Sequence, residues 1–449
     1  MNKDIVCIGA GYIGGPTMAV IAAKNPNRKV YVVDISESRI AAWNSDNLPI
    51  YEPGLAEIVK KVRGKNLFFT TDIDGAIRKC DIIFVGVNTP TKTFGRGAGR
   101  ASNLQYWEAA ARNISKVANR DKIVIEKSTL PVRTAEAMEK VLASHPKHKF
   151  TVLSNPEFLA EGTAIRDLLE PDRVLIGGPR TKEGDKAVKA LVEVYAAWVP
   201  RERIVTTNLW SSELTKLVAN AMLAQRVSSV NALSALCEVT GADVDEVAHV
   251  MGMDARIGPK FLKAGPGFGG SCFKKDVLNL VYLCESYGLK SAADYWNQVI
   301  LMNEWQQERI VTRMLDTMFH TISDKKIAVF GFAFKADTGD TRETPSLHVI
   351  DMLMEEHACV TVTDPKALPN ARHDLEKYGD AITYEDDPYK AAADADAIIV
   401  MTDWKEYSKL NWKKLRRVMR TPALVYDTRN CLDAEALRKL GFTVLNVGK

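Results

Sequence analysis

Cysteine is scarce in this 449-residue chain: there are seven, scattered, and no two stand at CxxC spacing. So small and odd a set excludes a disulfide framework and a cysteine-built zinc site, and it fits a reducing compartment. Long apolar runs are also missing, and none reaches the roughly 18 residues that a membrane-crossing helix needs. No block of like charge occurs. Lys and Arg number 60 against 56 Asp and Glu, a formal net charge of only +4. That balance argues against a nucleic-acid or membrane-surface role but leaves room for a small basic pocket that takes an anionic substrate. Low-complexity tracts and short repeats are absent, and Met1-Asn2-Lys3-Asp4 leads directly into an apolar run rather than a cleavable leader. The expectations are a cytoplasmic location, no resident metal, and neither nucleic acid nor membrane as partner.

What is present is alternation. Ile5–Ile8, Lys29–Val33, Asp81–Val85 and Lys122–Ile125 read as buried parallel strands separated by helical stretches, and Thr151–Leu153 and Val174–Gly177 extend the series. A second series follows at Ile327–Phe330, Val360–Thr363, Ala397–Met401 and Ala423–Tyr426. Between them the chain turns helical from about Asn208, and neither Gly nor Pro interrupts Trp210 to Cys237. So long a helix suggests an element that joins domains. The length itself calls for two or three domains. The spacing predicts an α/β protein: two Rossmann-like doubly wound domains, 1–207 and 323–449, joined by a long central helix and a helical middle region, 208–322.

Gly9-Ala10-Gly11-Tyr12-Ile13-Gly14 follows the first strand and precedes a helical run. Alone, GxGxxG is a weak signal. Here Asp34 stands twenty positions past Gly14, at the end of the second strand, which completes the dinucleotide fingerprint. The glycines admit a pyrophosphate to main-chain N–H groups at a helix start. The Asp34 carboxylate accepts the ribose hydroxyls and repels a 2′-phosphate, so NAD is favoured over NADP.

Three further segments carry candidate chemistry. Gly331-Phe332-Ala333-Phe334-Lys335 opens the second α/β series without the fingerprint. Lys335 there serves equally as a phosphate ligand or as the surface lysine of a structural domain. The glycine-rich run Gly265–Gly270 ends at Ser271-Cys272, just before a helical pattern with Asp276 one turn on. A thiol at a helix start is stabilised as thiolate, and a carboxylate beside it offers a proton partner. A lone cysteine is more often a small core residue. Lys216 and Asn220 share a helix face at four-residue spacing, and on these residues alone a solvated lysine with a core asparagine explains them better.

Taken together, GAGYIGGPT, LPIYEPGL, VNTPTKT, EKSTLPVRT, SNPEFLAEGTAI, PDRVLIGG, SSELTKLVANAMLAQR, GFGGSCFKKD and GFAFKADTGDTRE resemble the UDP-glucose/GDP-mannose dehydrogenase family over nearly the whole chain. The resemblance implies a four-electron oxidation in which one site passes two hydrides to NAD in turn. The Phe273 and Lys274-Lys275-Asp276 pattern resembles the branch that makes UDP-glucuronate from UDP-glucose. By that resemblance Cys272 is the nucleophile, giving a thiohemiacetal and then a thioester. Lys216 and Asn220 stabilise the developing oxyanion. Asp276, Glu157 and Thr129 manage protons and water, with the base left open among Asp276, Glu157 and a bridging water.

The same resemblance places NAD against Gly9, Ala10, Gly11, Tyr12, Ile13, Gly14, Asp34, Arg39, Val87, Asn88, Thr89, Pro90, Thr91, Ser128, Thr129, Glu161, Cys272, Lys275 and Arg342. It places the UDP-sugar against Glu157, Phe158, Leu159, Ala160, Glu161, Lys216, Asn220, Lys263, Phe268, Gly269, Phe334, Lys335 and Arg429, with Arg256 reaching in from a neighbouring subunit. A homo-oligomer built on a dimer is implied, with a hexamer open. Two rival readings remain: a dehydrogenase of another nucleotide sugar (a UDP-N-acetylhexosamine or GDP-mannose), and an inactive nucleotide-sugar-binding regulator.

Overall fold

A computed structural model describes residues 4–144 and 147–449. The chain divides into two compact units, one running to Ala219 and the other from Asn220 to Lys449.

In the first unit, eight strands form one sheet: β1 (Ile5–Ile8), β2 (Val30–Val33), β3 (Leu67–Thr70), β4 (Ile82–Val85), β5 (Lys122–Glu126), β6 (Phe150–Ser154), β7 (Val174–Gly178) and β8 (Ile204–Asn208). Their order is β3-β2-β1-β4-β5-β6-β7-β8. The first six are parallel and in doubly wound order, with the reversal between β1 and β4. Helices cover both faces, so alternate residues of one strand enter different cores. Ile5 and Cys7 join one apolar cluster, and Val6 and Ile8 the other.

Two expectations need correction here. The series was expected to continue parallel, but β7 meets β6 antiparallel through Ser154 and Gly177, and β8 then runs parallel to β7. A strand buried on both faces has the same apolar pattern in either direction, so direction is set by the connection and not by the strand. Secondly, β3 and β8 were not anticipated: Leu67–Thr70 is short, and Ile204–Asn208 is a half-exposed edge strand ending in Thr-Thr-Asn.

In the second unit, β9 (Lys326–Phe330), β10 (Cys359–Thr363), β11 (Ile382–Tyr384), β12 (Ala397–Val400), β13 (Ala423–Asp427) and β14 (Phe442–Asn446) pair in parallel. Their order, β11-β10-β9-β12-β13-β14, repeats the doubly wound pattern. The edge strands β11 and β14 were again missed. A helix over Leu209–Thr240 starts in the first unit and continues into the second. Its C-terminal part, through Val230 and Cys237, joins Ile310, Val311 and Met314 of the helix Lys290–Thr317 in the same core as the second sheet. Among the described residues, no helix is long and apolar enough to cross a membrane.

Candidate active site

The dinucleotide loop follows β1 at the sheet reversal. Gly9 has φ +109, and a Cβ there would lie 2.5 Å from the Gly86 carbonyl oxygen, so only glycine lets the loop pass the end of β4. A Cβ on Gly11 would meet nothing within 4 Å. The loop is therefore closed toward the protein and open at Gly11, a cradle that fits a pyrophosphate at the start of the helix Gly14–Lys24. Asp34 is fixed at the end of β2: it accepts the N–H of Ala10 at 2.9 Å and of Ser36 at 3.0 Å, and its Oδ2 lies 3.1 Å from Arg39 Nη1. Trp43 lies beneath the loop and donates its indole N–H to the Ala10 carbonyl at 2.9 Å.

The loops after β4 and β5 are laced together. Ser128 Oγ donates to the Val87 carbonyl at 2.6 Å, and Thr89 Oγ1 to the Thr129 carbonyl at 3.2 Å. After β6, buried Glu157 lies with Oε1 3.6 Å from Lys216 Nζ, and its Oε2 has no hydrogen-bond partner among the described residues. The Lys216 ammonium also stands 5.3 Å from the centre of the Phe158 ring. Lys127 is buried, 3.4 Å from Asn155 Oδ1. Burial brings its ammonium down to about 8, with Glu157 opposing that fall and Lys216 adding to it.

In the second unit, Cys272 is exposed at the residue preceding the helix Phe273–Ser286. Its carbonyl accepts the Asp276 N–H at 2.9 Å, and Ser271 Oγ lies 3.5 Å from its sulfur. Asp276 is buried, and its Oδ2 accepts Asn220 Nδ2 at 2.6 Å. The glycine run is held by amides: Gly265 N–H donates to Asn231 at 2.9 Å, the Gly265 carbonyl accepts Gln306 at 2.7 Å, and Phe268 N–H donates to Asn303 at 2.7 Å. The cysteine thus stands on a helix start whose approach loop is fixed by buried side chains.

Beyond the ends of β9, β12 and β13 a cationic cluster forms. Half-buried Arg429 donates to the carbonyls of Met401 at 2.7 Å and Phe334 at 2.8 Å. Lys263 pairs with Asp403 at 3.3 Å. Burial alone would raise the Asp403 carboxyl, but Arg429 and Lys263 outweigh it and hold the group below the usual range. Lys335 Nζ lies 5.4 Å from the Phe334 ring centre, and Gly269 is so close to Phe334 that a Cβ would come within 2.9 Å of it. Asp364 takes the place in this sheet that Asp34 takes in the first. Its Oδ2 accepts Phe332 N–H, Ala333 N–H and the Trp404 indole, and its Oδ1 accepts Lys366 and Ala367 N–H, so the carboxylate is committed within the fold.

Residues 3–199 match the NAD binding domain of the UDP-glucose/GDP-mannose dehydrogenase family, 210–305 its central domain and 328–434 its UDP binding domain. The chain belongs to that family. NAD is its cofactor. The chain is 57% identical to UDP-glucose 6-dehydrogenase 1 of Arabidopsis thaliana over 99% of its own length and 97% of that protein. It is 56% identical, with the same coverage, to UDP-glucose 6-dehydrogenase 1 of Glycine max. Among solved structures it resembles a UDP-glucose dehydrogenase from Pyrobaculum islandicum at a TM-score of 0.85 and 30% identity, covering 98% of both chains.

For this family member, the structure assembles the expected residues in two sets. The first unit holds Gly9–Gly14, Asp34, Val87–Thr91, Ser128, Thr129, Glu157–Glu161 and Lys216. The second holds Asn220, Cys272, Asp276, Lys263, Phe268, Gly269, Phe334, Lys335 and Arg429. Lys275 is half-buried beside Asp276 in the sequence. Arg342 pairs with Asp340 at 2.6 Å. The Arg256 side chain is 89% exposed and pairs with Asp254 at 2.5 Å. Reading the sequence missed Lys127, Asn231, Asn303, Gln306 and Asp364. Lys127 carried a signal, a cation just after an apolar strand, whereas the three amides lie unremarked inside helices. Among the described residues, no group of three or more His, Cys, Asp or Glu is placed to hold a metal ion.

Proposed function

We propose that this enzyme oxidises UDP-glucose to UDP-glucuronate in two NAD-dependent steps, with Cys272 holding the intermediate. The observation that carries the reading is the exposed Cys272 thiol at a helix start, with buried Asp276 one turn on and bonded to Asn220. The full-length relatives that bear the name UDP-glucose 6-dehydrogenase support the choice of sugar.

Bound NAD supplies the hydride acceptor for each of the two oxidations. In the first, the C6 hydroxyl proton passes to a base and the C6 hydride leaves, giving the aldehyde. Cys272 thiolate then adds to that carbon, forming a C–S bond while the carbonyl pair becomes an alkoxide. Lys216 and Asn220 stabilise this charge. Loss of the second hydride gives a thioester. Water attacks it, the C–S bond breaks, and thiolate and carboxylate are released. The thiol is needed because it holds the aldehyde carbon tetrahedral, with a hydride to give, and retains it. Asp276, Glu157 and Thr129 serve the proton transfers and the attacking water.

Arg429, Lys335, Lys263 and the glycine run take the UDP diphosphate. Domains are assigned as 1–207 for NAD, 208–322 for dimerisation and 323–449 for the UDP-sugar. The assembly is a homo-oligomer built on a dimer, with Arg256 completing the partner's sugar pocket. Seven scattered cysteines, with no two at CxxC spacing, support a cytoplasmic location. The test is a panel of nucleotide sugars with NAD, followed by NADH absorbance. UDP-glucose is expected to be turned over fastest, and Cys272→Ala to abolish conversion to the acid. Faster turnover of a UDP-N-acetylhexosamine or GDP-mannose, or an active Cys272→Ala, overturns the reading.

A further inference from the structure

We infer that Glu52 is a positioning residue that fastens the dinucleotide loop to the Glu157–Ala164 segment, with the Tyr12 phenol as the link. All of these groups lie in the first unit. Glu52 is only 5% exposed. Its Oε1 accepts both the Tyr12 hydroxyl and the Gly162 N–H, the latter at 2.7 Å, and its Oε2 accepts the Ala164 N–H at 3.1 Å. Tyr12 belongs to GxGxxG, where the main chain serves the cofactor and the side chain is free to do other work. Here it reaches back to a carboxylate forty residues on. Burial and the neighbouring Glu52 push the phenol above its ordinary range, so it stays a donor at any working pH.

The other end of the link is equally defined. Glu161 sits between anchored neighbours, because Asp167 accepts the Ala160 N–H at 3.1 Å and Thr163 Oγ1 at 2.8 Å, while Glu52 holds Gly162 and Ala164. Two carboxylates therefore fix the main chain on both sides of Glu161. Hydrogen bonds to ionised acceptors are the stronger kind, and buried ones are costly to leave unmade. The loop that cradles the cofactor and the segment expected to face the sugar nucleotide consequently cannot shift independently. This inference rests on the proposed use of Glu157–Glu161 for substrate. It adds that substrate affinity depends on a side chain of the cofactor loop.

The test uses the full-length chain with Tyr12→Phe, which removes only the link, and Glu52→Gln. Glutamine has one acceptor oxygen, so its NH2 faces a main-chain N–H that the carboxylate accepted. Amide hydrogen exchange without ligands, read on peptides spanning 158–167, is expected to quicken in both variants while the rest of the unit is unchanged. Tyr12→Phe is expected to raise the KM for UDP-glucose roughly tenfold, the scale of one hydrogen bond to a charged group. Exchange in 158–167 left unchanged by Tyr12→Phe, or a KM effect confined to NAD, overturns the inference. If the wild type makes no NADH from UDP-glucose, the functional reading fails instead, and the exchange measurement still decides the positioning role.

Discussion

At the scale of single residues, one strongly shifted ionisation lies outside the groups assigned to chemistry. Glu126, at the end of β5, is buried, and that burial, with repulsion from Glu213 and a smaller push from Glu139, raises it well above the usual carboxylate range. Glu213 is an acceptor here, holding the N–H groups of Arg133 at 2.7 Å and Ala135 at 2.9 Å. Burial raises the Glu213 carboxyl as well, and Glu126, wholly buried and facing it, is pushed the more strongly to keep its proton. The sign of the pH effect follows. The folded state keeps the Glu126 proton to higher pH than the unfolded chain, so stability falls as pH rises from about 4.5 toward the raised folded value. Glu126→Gln cannot ionise. Urea midpoints at pH 5 and pH 8 are expected to shift in its favour as pH rises, and a pH-independent gap between variant and wild type contradicts the assignment. Neither the pairing nor the proton was legible in the sequence, because Glu126 and Glu213 stand far apart along it and meet only in the fold.

At the scale of elements, the dinucleotide loop separates two uses of glycine. Gly9 is required by the protein, since a Cβ would collide with the Gly86 carbonyl, whereas Gly11 faces open space. Gly9→Ala is expected to lower the melting temperature by several degrees. Gly11→Ala is expected to melt like the wild type and yet lose NAD affinity by tenfold or more, because the added methyl occupies the approach of the pyrophosphate. Calorimetric titration with NAD and thermal melts separate the two. Equal effects of both substitutions on melting contradict the distinction. The central strands of both sheets, the long helix and this loop were legible because burial on both faces, uninterrupted helical pattern and glycine spacing are local properties. The edge strands β3, β8, β11 and β14 and the reversed direction of β7 were not, since short half-exposed strands lack a strong apolar pattern and direction depends on partners distant in sequence. At the site, Cys272 and Asp276 could be paired from helix spacing, but the 2.6 Å bond from Asn220 to Asp276 joins separate helices.

At the scale of the whole molecule, exposed Arg256 and the proposed dimer are tested together. Arg256→Ala and Cys272→Ala are each expected to impair every site of their own homodimer. Refolding the two together places one intact site in each mixed dimer, so recovery of about a quarter of wild-type activity is expected for random pairing. No recovery, with mixed dimers shown to form, contradicts a shared site. The central claim is broader: one cofactor domain and one thiol carry out two successive oxidations. The NAD binding domain matches residues 3–199, and the first turn of the second sheet, Gly331-Phe332-Ala333-Phe334-Lys335, lacks the GxGxxG fingerprint. The most direct measurement is the stoichiometry of a reaction run to completion with limiting UDP-glucose and excess NAD, with an aldehyde trap in a parallel sample. The account predicts about two NADH for each sugar and no trapped aldehyde. One NADH for each sugar, with the aldehyde recovered in the trap, would contradict it.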